Sequence, residues 1–133
     1  MKLILGLVLI GILGLVLIIT LTKKVITDDL VSLIVKEGSL TNSGATFILE
    51  NHTDNSYRYG GSYSIEKERF GIWFSLRPKR KLSSTLIAYD LGAKKSREIE
   101  IDWEYNYGKL TPGKYRIIKN IGDFWVGTEF IIQ

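Results

Sequence analysis

The sequence predicts an all-β domain, a two-layered sandwich of roughly seven to eight short strands, preceded by one N-terminal transmembrane helix. Three observations carry this. Leu3 to Thr22 is an uncharged run of 20 residues. Beyond it, short segments of alternating apolar and polar residues recur at roughly 8 to 15-residue spacing, with turn formers between them. Finally, Glu98 to Lys119 reads as strand, corner and strand in one pass.

As a helix, the apolar run would be about 30 Å long, the thickness of a bilayer's hydrocarbon core. A cleaved signal peptide has an apolar region of only about 7 to 15 residues and an A-x-A-like cleavage site. Thr20-Leu21-Thr22-Lys23 offers no such site. The expected organisation is therefore residues 1–22 as an anchor or uncleaved signal, 23–30 as a linker and 31–133 as the folded domain. Lys2 faces Lys23 and Lys24 across the run, so charge alone leaves its orientation undecided. Gly6, Gly11 and Gly14 form no G-x-x-x-G pair.

Val31, Leu33 and Val35 alternate as a first strand, and Ala45, Phe47 and Leu49 share one face of a second. Asn51 to Ser56 is a polar loop. Tyr57 to Lys67 and Phe70 to Leu76 are two extended runs, joined by a charged turn at Glu66 to Gly71 that suits a hairpin. Leu82 to Leu91 is a weaker strand, and Gly92 to Lys95 turns into the next. There Ile99, Ile101 and Trp103 alternate with Glu98, Glu100, Asp102 and Glu104. Gly108 and Pro112-Gly113 mark the corner, and apolar spacing resumes at Tyr115, Ile117 and Ile118. Phe130 and Ile132 belong to a closing strand.

Leu110-Thr111-Pro112-Gly113-Lys114-Tyr115 places a tyrosine where, in immunoglobulin-like sandwiches, its hydroxyl bonds backbone a few residues upstream and staples the crossover between sheets. The order Y-G-x-x-Y-x-I-E-K-x-x-x-G-x-W-x-x-L from Tyr59 to Leu76 is followed by I-x-W at Ile101 to Trp103 and Y-G-x-L-x-x-G-x-Y-R from Tyr107 to Arg116. It resembles the bacterial immunoglobulin-like domain of small membrane-anchored or lipid-anchored Gram-positive proteins, across most of residues 31 to 133. The resemblance implies an immunoglobulin-like β-sandwich displayed outside the membrane, with the N-terminus inside, and it implies no reaction. The chain lacks the cysteine of lipid-anchored relatives, which leaves the helix as its anchor.

Cysteine is absent, which excludes disulfides, thiolate metal sites and a cysteine nucleophile. A net charge of +4 favours anionic surfaces but is far from a nucleic-acid signature. His52 is the single histidine, and neither Asp28-Asp29 nor His52 to Asn55 follows a calcium-loop spacing. Glu98, Glu100 and Asp102 share a strand face at two-residue steps, but a solvated face gives a general acid no raised pKa. Arg77 with Lys79-Arg80-Lys81, and Lys94-Lys95 with Arg97, make basic turns able to meet lipid headgroups or wall polymers. Tyr105, Tyr107 and Trp125 are the candidate binding patch at one end of the sandwich; Trp73, Trp103, Leu110 and Tyr115 are assigned to structure.

The function expected is a non-enzymatic, cofactor-free binding or interaction module, held to the cell membrane by a single span and facing outside. Its partner would be a protein or a cell-wall polymer, and not nucleic acid. The alternative is a secreted carbohydrate or cell-wall binding module released by signal cleavage.

Overall fold

In the segment GATFILEN, alternate side chains are large and apolar, and Val31, Leu33, Ile99 and Ile101 repeat the pattern on its neighbours; strands with one buried face result. The computed structural model describes residues 26–27, 29–80 and 87–133. One sheet has the order β1-β2-β7, formed by Val31–Val35 (β1), Gly44–Asn51 (β2) and Ser96–Asp102 (β7). The second has the order β5-β4-β8-β9, formed by Ile72–Ser75 (β5), Ser64–Arg69 (β4), Gly113–Ile121 (β8) and Phe124–Ile132 (β9). Tyr57–Tyr59 (β3) and Tyr89–Leu91 (β6) form a separate pair. All these strand pairs are antiparallel. The run at Leu3 to Thr22, expected to cross the membrane, lies outside the described residues, among which no helix is long and apolar enough to do so.

Nine strands appear among the described residues, two more than the lower expectation. The run from Tyr57 to Lys67 accounts for one of them. Gly60-Gly61-Ser62 breaks it, because two adjacent glycines bring no side chain to either face, and it becomes β3 and β4. The amine of Lys119, on the inward face of β8, donates to the carbonyls of Gly60 (2.9 Å) and Ser62 (3.1 Å) across that break. Lys119 is 1% exposed and sits over the Tyr59 ring, 5.5 Å from its centroid.

The two sheets meet on aromatic side chains. Phe130 of β9 stacks on Trp103 at 5.3 Å and on Tyr115 at 5.8 Å, and meets Phe47 of β2 edge-on at 6.5 Å. Trp103 is wholly buried, and its indole N–H donates to Asn42 O at 2.8 Å. The tyrosine staple is present: the Tyr115 hydroxyl donates to Thr111 O at 2.6 Å. Between β7 and β8 the chain forms one helical turn, Glu104–Tyr107 (α1), where turn formers predict only a loop. Asn51, also buried, ties down the polar loop after β2: its amide donates to Asn55 O, Leu91 O and Gly92 O, and its carbonyl accepts from Thr53.

Two measurements test this core. Trp103→Ala should destabilise the fold by about 3–5 kcal/mol, as expected for a buried tryptophan, and Tyr115→Phe by about 0.5–1.5 kcal/mol, the worth of one hydrogen bond. Urea unfolding checks both, and unchanged midpoints would remove the assignments. The second test is pH. Burial pushes the Lys119 amine down to about 8 from 10.5, so between those values the unfolded chain binds more protons than the native one. Stability should therefore rise above pH 8, by on the order of 1–3 kcal/mol. Burial raises Tyr59, Tyr63 (to about 12) and Tyr107, so above about pH 10 the unfolded chain loses protons first and stability should fall again. Native protein whose unfolding midpoint declines steadily from pH 8 to pH 10 would contradict the buried charge, and Lys119→Met should remove the rise.

Candidate interaction surface

β4 and β5 are joined by a two-residue turn in which Phe70 (φ 56°) and Gly71 (φ 76°) both adopt left-handed conformations. Positive φ at both central positions is the geometry whose twist matches a hairpin, and Asn-Gly is its preferred sequence. Gly71 fits without strain. Phe70 does not, since a left-handed conformation costs a bulky residue roughly 1–2 kcal/mol, and its ring makes no compensating contact: it is 99% exposed. Ile72 and Phe74 follow on β5 and are also exposed. Because β5 is the last strand of its sheet, the hairpin offers an apolar tip and edge together.

The outward face behind this edge is braced. Glu66 accepts from Arg116 in bidentate fashion, at 2.6 and 3.3 Å, and Arg116 is only 7% exposed despite facing outward. Trp73 covers that guanidinium at 4.6 Å and lies 5.9 Å from the Lys114 amine. Lys114 pairs with Glu68 (3.3 Å) and Glu129 (3.5 Å), whose hydrogen bond and charges raise its pKa. At the other end of the sheet, Ile26 bridges to Trp125 in parallel, and the Thr27 N–H donates to Trp125 O at 2.9 Å. Eight residue rows separate Trp125 from Phe70 by the strand register, about 27 Å at the antiparallel rise.

A second surface lies where the segment leaving β5 meets α1. The Lys79 N–H donates to Asn106 O at 2.6 Å. Arg80 donates through Nη1 to Tyr105 O at 2.6 Å, and its guanidinium stacks 4.6 Å above the Tyr105 ring. Lys79, Arg80, Glu104, Gly108 and Lys109 line an open cleft of about 370 Å³.

The sequence-assigned patch does not form. Tyr105 is 67% exposed on α1, but Tyr107, one helical face away, is buried in the core with its ring 6.1 Å from Tyr63. Trp125 lies at the opposite end, beside Ile26. Trp103, Leu110 and Tyr115 are buried, whereas Trp73 is half-exposed on the outward face. Its position follows from register: Trp73 pairs with Glu68, and Ile72 and Phe74 take the inward parity.

Proximity brings Ser32 Oγ to 2.9 Å from His52 Nε2, with Glu50 at 3.9 Å from that same nitrogen. A catalytic triad needs its acid on the other ring nitrogen, so this exposed cluster lacks the relay geometry. Glu98, Glu100 and Asp102 are exposed, Glu98 paired with Lys36 at 2.8 Å and Asp102 accepting from the Glu104 N–H. Among the described residues no three histidine or carboxylate side chains are grouped to hold a metal.

Neither the curated proteins nor the solved structures contain a significant match to this chain. The family model described as the bacterial Ig-like domain matches residues 28–131, from the segment before β1 to the end of β9, and the chain belongs to that family.

Proposed function

We propose that this protein is a non-catalytic interaction module outside the cytoplasm of a Gram-positive cell, held on the membrane by Leu3 to Thr22 and presenting the β4–β5 hairpin to its partner. Family membership supports the extracellular interaction role. The wholly exposed Phe70 carries the choice of surface: an aromatic ring placed at a conformational cost, with nothing among the described residues against it, gains nothing there from folding. The strand register supports the orientation, since Ile26, where the chain leaves the proposed span, is at the end away from the hairpin.

Two observations in intact cells test this reading. The full-length chain should fractionate with membranes and be cut by added protease; a protein recovered whole from the cytoplasm would defeat the location, and one released with a shortened N-terminus would favour the secreted alternative. A photoreactive phenylalanine analogue in place of Phe70 should crosslink to a partner, while the same analogue in place of Asp54, on the loop following β2, should not. Equal yields from both positions would defeat the assignment of the hairpin.

A further inference from the structure

The cleft between the β5 exit segment and α1 is separate from the hairpin tip, and its chemistry is that of an oxyanion site. We propose that Lys79, Arg80 and Lys109 bind phosphate groups of an anionic polymer. Among the described residues, three cations line this cleft against one carboxylate, Glu104. No carboxylate lies within ion-pair distance of any of the three among the described residues. Uncompensated like charges brought together repel one another, and an anionic ligand removes that cost.

One of the three also has its charged group held in place, which separates it from an ordinary surface cation. Arg80 is fixed by its bond to Tyr105 O and by stacking on the Tyr105 ring, leaving other guanidinium N–H groups of its planar fork for oxyanion contact. Lys79 is tied through its backbone to Asn106, and its amine lies over Gly108. A side chain at 108 would begin 2.7 Å from that nitrogen, and the residue has φ 76°, so glycine both permits the turn and leaves the amine its seat. Charges fixed before binding lose less entropy when a ligand arrives. An open cleft of about 370 Å³ admits one phosphate with part of its flanking chain.

The probe is inorganic polyphosphate, titrated onto the full-length protein in zwitterionic detergent micelles at low and at moderate salt. Binding should weaken as salt rises, and the double variant Lys79→Gln, Lys109→Gln should bind roughly 10-fold more weakly or worse. A charge-matched control, Lys94→Gln with Lys95→Gln in the turn between β6 and β7, should stay within about twofold of the native protein, whereas attraction set by total charge alone would weaken both double variants equally. No binding by the native protein, or equal loss in the two double variants, overturns the proposal. Binding to phosphatidylglycerol vesicles that survives the Lys79→Gln, Lys109→Gln change while polyphosphate binding is lost supports a polymer site distinct from lipid attraction; loss of vesicle binding alone overturns it.

Discussion

Phe130 is the contact on which the arrangement of the two sheets depends. Its ring meets Trp103 just after β7, Tyr115 at the start of β8 and Phe47 in the middle of β2, so one side chain from the last strand touches both layers and the crossover between them. Aromatic pairs of this kind add about 0.5–1.5 kcal/mol each beyond the area they bury. The Tyr115 hydroxyl and the Trp103 indole N–H then find carbonyls on opposite ends of adjacent loops, Thr111 and Asn42. Without cysteine, this polar-tipped stack takes the place a disulfide fills in other sandwiches, joining sheets at a fixed separation.

Much of this was legible in the sequence because period-two alternation and the corner motif report burial directly. Phe47, Leu49, Ile101, Trp103, Tyr115 and Ile117 face the core by parity alone. Parity misleads where a strand outruns the opposite sheet. At β5, Ile72 and Phe74 have the inward parity yet stay exposed, and Trp73 on the outward side covers a guanidinium. Arg116 and Lys119 are the converse: charged residues that alternation alone does not bury, drawn in by Glu66 on one face and by two orphaned carbonyls on the other.

The surface features were harder to read. The hairpin was expected in a charged turn, but turn type follows from backbone dihedral angles, and phenylalanine at a left-handed position runs against the residue preference that would announce it. For Tyr105 and Tyr107, spacing suggested a shared loop patch. One turn of helix placed them on different sides, so that Tyr107 packs inward while Tyr105 supports Arg80. The basic run around Lys79 was visible from composition. Its meeting with Lys109 was not, because some 30 residues and a change of sheet lie between them, and the Lys79–Asn106 and Arg80–Tyr105 bonds bring the two segments together.

The bracing behind β5 explains how an exposed apolar edge persists as a defined shape. A two-residue turn with a strained first position gains from opening, and a four-residue edge strand has few ladder bonds to resist this. Trp73 supplies the resistance: lying over Arg116 and near Lys114, it couples the edge strand to β8 through two cations already neutralised by Glu66, Glu68 and Glu129. Because the Glu66–Arg116 pair is largely shielded from water, breaking it leaves a charge uncompensated, which costs more than making the pair gains. The network therefore acts against disruption of the hairpin more than it adds to folding. A tip held in this way keeps the backbone that carries Phe70 in place, which limits the backbone entropy lost when a partner closes over it.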